Sequence, residues 1–146
     1  MAEQPPQNFQ NHARYVPAYH FVASSILLIN VIWSLIKLVR IQSGDTVMGL
    51  LVAIAILITW LYARVFALTV QDRVIRLEMT LRLEKLLPSD LKPRIKEFTL
   101  NQLIALRFAG DEELPGLAKT VLQQNIASRA DIKKMIKNWN PDYLRA

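Results

Sequence analysis

Two histidines, His12 and His20, precede and enter the first apolar run of the chain. An imidazole in that position can ligate a metal or a porphyrin-like pigment. Neither has a carboxylate or second histidine at i+4, so His20 is the one weak cofactor candidate and reads first as an interfacial hydrogen-bonding anchor. Asn30 lies near the middle of the same run, with Ser34 one turn later and Lys37 beyond. A polar side chain at bilayer depth marks an intramembrane pathway or a hydrogen bond that fixes helix register. No acidic or basic residue accompanies Asn30 at depth, which favours the register role.

Near the other end, Arg129, Lys133, Lys134 and Lys137 cluster on a short predicted helix. They fit attraction to anionic lipid or a partner surface, or alternatively the recognition helix of a helix-turn-helix module. Residues 89–146 carry ten basic and seven acidic side chains, and the preceding turn lacks glycine, so nucleic acid is the weaker option. Catalysis has no support. There is no GxSxG, Walker loop, HExxH, GxGxxG or cysteine pair, and the adjacent carboxylates Asp111, Glu112 and Glu113 fit the first turn of a helix. No enzyme, metal site or cofactor is expected.

The elements that hold these residues follow from how apolar and charged residues are segregated. The chain has 146 residues, 52% of them apolar, with 18 basic and 12 acidic side chains and a net charge of +6. Its mean hydropathy is +0.20, above that of an ordinary soluble domain. This composition excludes bulk disorder. The absence of cysteine excludes a disulfide scaffold, a thiolate metal site and a thiol nucleophile. Phe21 to Val39 is an apolar run whose only charge is Lys37, near its end, and at 1.5 Å per residue it reaches about 28 Å. Val47 to Ala63 carries no charge and the apolar character continues to Leu68. A chain this short cannot cover two helices that are apolar all round, so both are expected to span a bilayer. A cleaved signal peptide fits the first run poorly, because no basic cluster precedes it and no small-x-small site follows.

Only Ile41 to Thr46 separates the runs, so they form an antiparallel hairpin. Arg64, Arg73, Arg76, Arg82 and Lys85 follow the second span, against Lys37 and Arg40 at the turn, which places both termini in the cytoplasm. Tyr15, Tyr19 and Phe21 fall at the same interface as Trp60, Tyr62 and Phe66, where aromatic anchors belong. On the second span Ala55, Thr59, Ala63 and Ala67 recur every four residues, with Gly49 and Ala53 as a second small pair. Small residues admit close helix approach, either within the hairpin or to another subunit.

Helical spacing continues from Val65 to Leu87, where Pro88 stops it. Ala67, Val70, Val74, Leu77 and Leu81 form a seam at steps of three and four, which packs against a coiled-coil partner or against the C-terminal domain. Beyond Pro88, a short turn through Pro93 precedes three helices. One opens at a Thr99–Gln102 capping box and closes at Gly110; the next begins at Asp111–Glu113; the last runs from Ser128 to Asn138 or Trp139. The expected core is Leu103, Leu106, Phe108, Leu117, Val121, Ile126, Ile132, Ile136 and Trp139.

Particular stretches carry a family resemblance: Gln7-Asn8-Phe9, Asn11-His12 and Arg14 before the membrane, then Leu103-Ile104-Ala105-Leu106-Arg107-Phe108-Ala109, Asp111 to Pro115, Ile136-Lys137-Asn138-Trp139, Asp142 and Arg145. The chain resembles an uncharacterised family of small bacterial two-span membrane proteins, a domain of unknown function. The resemblance implies a bacterial inner membrane and this architecture, with no activity or site residues attached.

The expected molecule is an all-α membrane protein. Residues 1–20 form a polar N-terminal segment, extended around Pro5 and Pro6 unless a partner orders it, 21–40 and 47–68 the two spans, 69–87 a cytoplasmic extension of the second helix, and 89–146 a small helical bundle. Its expected partners are the lipid bilayer and other membrane subunits or a second copy, as a non-catalytic accessory or assembly component or a self-associating scaffold. A membrane-tethered nucleic-acid-binding regulator and a small pigment- or substrate-binding subunit are the alternatives.

Overall fold

A computed structural model describes residues 7–11 and 15–142 of the chain. The expectations that touch Pro5, Pro6, His12, Arg14 and Arg145 therefore lie outside the described residues. All elements among those described are helical, and no strand occurs. A π-helical segment, Ala18–Ala23, runs directly into α1, Ser24–Arg40. Then come α2, Gly44–Leu86, a 3-10 turn at Lys92–Glu97, α3 at Leu100–Leu106, α4 at Leu114–Gln123 and α5 at Arg129–Met135. The chain divides into two units, Arg14–Leu68 on the one hand and Met1–Ala13 with Thr69–Ala146 on the other. α2 contributes to both.

The apolar unit contains two helices long and apolar enough to cross a membrane, Ala18–Arg40 and the N-terminal part of α2. Ser24 removes a polar liability at the start of α1, donating its hydroxyl to the carbonyls of His20 at 2.5 Å and Phe21 at 3.2 Å. α2 begins three residues earlier than apolarity predicts, at Gly44 rather than Val47. The reason is a cap. Ser43 Oγ accepts from the amide of Thr46, while Thr46 Oγ1 donates to the carbonyls of Ile41 and Ser43 at 2.6 and 2.8 Å. These bonds satisfy groups that a helix start leaves open and shorten the connection to Ile41–Ser43. Large apolar side chains on both helices stay exposed, Ile29 at 65% and Trp33 at 58% among them. The partly covered positions recur at Leu27, Val31, Ser34 and Leu38 on α1, and at Thr46, Leu50, Ala53, Leu57, Trp60 and Arg64 on α2, a spacing that alternates three and four.

At 43 residues α2 is about 65 Å long, roughly twice a hydrocarbon core. It stops two residues before Pro88, as a helix must. In the C-terminal unit its buried stripe is Ile75, Met79 and Leu83, continued by Leu87 just past the helix, at steps of four. Of the two partners expected for the seam, the C-terminal domain is not the one. Val70, Val74, Leu77 and Leu81 are 61%, 47%, 62% and 58% exposed, so the C-terminal domain packs on a different stripe of the helix. Advancing 100° per residue, the two stripes lie on opposite sides of α2.

The core of this unit joins Ile75, Met79, Leu83 and Leu87 to Phe98, Leu103, Leu106, Phe108, Leu114, Val121 and Ile132. Of the nine core residues expected, seven are buried, and Ile126 and Trp139 are partly buried against them. The capping box of α3 is present in full. Thr99 Oγ1 accepts from the Gln102 amide, Gln102 Oε1 accepts from the Thr99 amide at 2.8 Å, and Gln102 Nε2 reaches the Ile126 carbonyl at 3.1 Å. The one buried polar side chain recorded in this core is thereby satisfied.

Three helix ends differ from expectation. α3 ends at Leu106, α4 begins at Leu114, and α5 ends at Met135 rather than at Asn138 or Trp139. The cause is common to them. Backbone from 108–110 pairs with 138–140, with Gly110 donating to Asn138 at 2.8 Å and Asn140 to Phe108 at 2.7 Å around an isolated bridge between Ala109 and Trp139. A Cβ on Gly110 would stand 3.3 Å from the Asn138 carbonyl oxygen, so this close approach favours glycine.

Candidate functional site

In the apolar unit an imidazole and several aromatic rings gather where the chain enters α1. His20 Nδ1 lies 3.1 Å from both the amide and the carbonyl of Val16, and its ring is edge-on to Tyr15 and Tyr19 at 5.7 and 5.3 Å. Tyr19 stacks on Trp60 at 5.0 Å and donates its hydroxyl to the Trp60 carbonyl at 2.5 Å. A carbonyl inside α2 thus gains an additional donor, and two aromatic anchors are fixed against each other. The π-helical turn lets this happen, because the wider turn re-aims Tyr19 and His20. Sequence periodicity carries no signal for such a turn. His20 is thus held by its own backbone within a ring cluster, and no group of three metal-binding side chains occurs among the described residues.

The remaining intramembrane candidates scatter. Asn30 is exposed, Ser34 is half-buried, and Ala53 is buried at 1% in the covered stripe of α2. Gly49, Ala55, Thr59 and Ala63 are exposed, with Thr59 Oγ1 donating to the Ala55 carbonyl at 2.9 Å. The covered stripe of α2 therefore uses Leu50, Leu57 and Trp60 more than the small residues.

In the C-terminal unit, charged side chains hold backbone. Arg82 on α2 donates to the carbonyls of Arg107 at 3.0 Å and Ala109 at 2.5 Å, and meets the Asp111 carboxylate at 2.7 Å. Glu113 accepts from the amides of Lys137 at 3.1 Å and Asn138 at 3.0 Å. Asp111 and Glu113, expected as first-turn charge for a helix, serve instead as long-range ties, and Glu113 makes no side-chain cap for α4. Arg107 pairs with Asp142 at 3.3 Å, and Gln7 completes that corner. Its amide donates to the Asp142 carbonyl and accepts from the Asp142 amide, both at 3.0 Å. Gln7, within the polar N-terminal segment, thus finds a partner within the chain, which no local pattern announces across 135 residues. Gln7→Ala is expected to remove two hydrogen bonds worth about 1 kcal/mol each and to accelerate hydrogen exchange at the Asp142 amide by roughly tenfold or more. Unchanged exchange there would show that the pairing does not persist in solution.

The α5 cations are partly occupied as well. Arg129 Nε donates to Asn101 at 2.8 Å, Lys133 Nζ sits 4.9 Å from the centroid of the Phe108 ring, and Lys134 faces Asp131 at 3.4 Å on an exposed surface. Lys137 is exposed. Farther along the surface, Arg94 donates to Glu97, which holds the Glu97 carboxyl below its ordinary range.

Taken together, these groups tie segments to one another, and they bring no nucleophile and general base together among the described residues. The class defined is an all-helical protein with two helices long and apolar enough to cross a membrane and a small helical unit in which Arg82, Arg107, Glu113 and Asp142 tie backbone segments together. Over residues 1–146 the chain matches the family described as Family of unknown function (DUF6526), and it belongs to that family. Neither the curated proteins nor the solved structures contain a match to it.

Proposed function

We propose that this is a non-catalytic integral membrane protein of the bacterial inner membrane, an accessory or assembly subunit of a larger membrane complex or a self-associating scaffold. The observation that carries the reading is the exposed apolar surface of α1 and of α2 up to Leu68, which requires lipid or other spans to cover it. In this reading α1 and α2 form an antiparallel hairpin. The three-residue connection, the Tyr19–Trp60 stack at the opposite end, and the alternating three-four spacing of covered positions all support that arrangement. Arg64, Arg73, Arg76, Arg82 and Lys85 outnumber Lys37 and Arg40, and this supports termini and C-terminal unit on the cytoplasmic side.

The nucleic-acid alternative gains nothing from α5, which is seven residues long with Arg129 and Lys133 engaged inside the unit. Two measurements test the proposal. Because the chain has no cysteine, Gln42→Cys in the connection and Lys96→Cys in the C-terminal unit provide single labels at exposed positions. A membrane-impermeant maleimide is expected to reach the thiol at position 42 in intact cells and the one at position 96 only after permeabilisation. Purification in mild detergents with mass spectrometry is expected to recover stoichiometric membrane-protein partners or multimers. Monomer alone under several gentle conditions would sink the accessory and scaffold readings together.

A further inference from the structure

On the far side of α2 from the packed domain, Val70, Val74, Leu77 and Leu81 form an exposed apolar ridge at steps of four, three and four. The intrachain core already occupies the opposite stripe, Ile75, Met79 and Leu83, so nothing among the described residues of this unit covers the ridge. Burial in hydrocarbon is not open to it. Asp72, Arg73, Arg76 and Glu78 are interleaved with it around the helix, and each charge would be costly at bilayer depth.

The spacing is that of heptad core positions, with Val74 and Leu81 at a, and Val70 and Leu77 at d. Val74 at a followed by Leu77 at d is the combination that favours two parallel strands, while Val70 at d and Leu81 at a do not add to it, so the choice of a two-stranded pair rests on that central step and on the charges. The flanking charges agree. Arg73 falls at g and Glu78 at the following e, five residues on, which is the spacing that brings g of one helix beside e of its partner in a parallel pair. Both side chains are exposed, and neither makes an ion pair within the chain among the described residues. The other g-to-e pairing within the ridge, Thr80 with Lys85, is free of like-charge repulsion. Direction is set independently. Two copies inserted in one bilayer have the same orientation, so their α2 helices run parallel.

We infer that the Val70–Leu81 face of α2 docks a second copy of this chain as a short parallel two-stranded coiled coil, with symmetric Arg73–Glu78 pairs across the dimer axis. This rests on the membrane reading above and gives its self-association a partner and a surface. Two heptads are marginal for a free peptide, but confinement to a membrane raises the effective concentration of the second strand.

Single cysteines in the full chain, oxidised in native membranes, test it. Val74→Cys and Leu77→Cys are expected to give a disulfide-linked dimer of twice the chain mass, and Arg76→Cys, also exposed but off the ridge, is not. Leu77→Glu brings two carboxylates together in the seam and is expected to weaken dimerisation on the order of tenfold or more, read as loss of the dimer in mild detergent. Arg73→Glu is expected to weaken it, and Arg73→Glu combined with Glu78→Arg to restore it, a rescue that generic stickiness would not show. The inference falls if Val74→Cys and Leu77→Cys fail to cross-link in protein of wild-type helicity, if Arg76→Cys links equally well, or if the linked band contains one copy and a different protein. If dimers are lost in Leu77→Glu while other membrane proteins still co-purify, the accessory reading stands on its own. If the dimer forms but the cysteine labels place it outside a membrane, the dimer stands and the membrane reading falls.

Discussion

Phe108→Ala is expected to cost the C-terminal unit about 3–5 kcal/mol, the range for removing a fully buried aromatic ring from a packed core. Phe108 is 0% exposed. Its ring lies 5.1 Å from that of Trp139, with the Arg107 guanidinium 4.6 Å and the Lys133 ammonium 4.9 Å from its centroid. The loss therefore combines a cavity, an aromatic pair and two cation contacts, which reinforce one another at a single site. Native domains have about 5–15 kcal/mol in total, so the substitution would consume a large share of what this small unit has. The check is a urea titration of the full chain in detergent, followed by Trp139 emission in a Trp33→Phe, Trp60→Phe background. Phe108→Leu, which keeps most of the volume, is expected to fall well short of the alanine effect. A shift below about 1 kcal/mol for Phe108→Ala would mean that the ring is not the keystone its burial indicates.

Phe108 was legible from its apolar spacing, and so were the helix stop before Pro88 and the Thr99–Gln102 cap. Each is a local signal, carried by residues within four positions of one another. Which stripe of α2 the domain covers was not legible. Val70, Val74, Leu77 and Leu81 and the buried Ile75, Met79 and Leu83 are both apolar sets with helical spacing, and a helix that is apolar on two sides gives no periodicity that selects one. The selection comes from where α3 to α5 place Leu106, Phe108 and Ile132, which is tertiary information. The early end of α5 was hidden for a similar reason. Residues 136–139 have no helix breaker before Asn140 and Pro141, but the Glu113 carboxylate and the 108–110 backbone claim their amides and carbonyls. Polar groups were least legible where they act across the chain: Arg82, Glu113 and Gln7, which organise the C-terminal unit, reach over more than twenty residues of sequence.

Arg82→Ala is the second large effect, expected at about 2–4 kcal/mol. Its guanidinium, 19% exposed, is the donor for carbonyls of Arg107 and Ala109 just past the end of α3, where no helical amide can reach them. Removing it leaves those carbonyls without their charged donor and also deprives Asp111 of its partner. Asp111→Asn should cost far less, below about 1 kcal/mol, because the Asp111 side chain is 66% exposed and water replaces the lost contact. The ordering separates two accounts of the site. If the ion pair were the main contribution, the two substitutions would match; if the fork on the carbonyls dominates, Arg82→Ala is the more damaging and Arg82→Lys fails to rescue it, since one ammonium cannot span two carbonyls and a carboxylate. The same urea titration measures all three variants. Arg82 lies off the exposed ridge of α2, so its loss should loosen α3 and α4 from the helix while cysteine cross-linking at position 77 persists. Loss of both together would show that the packed domain and the dimer seam are one cooperative unit.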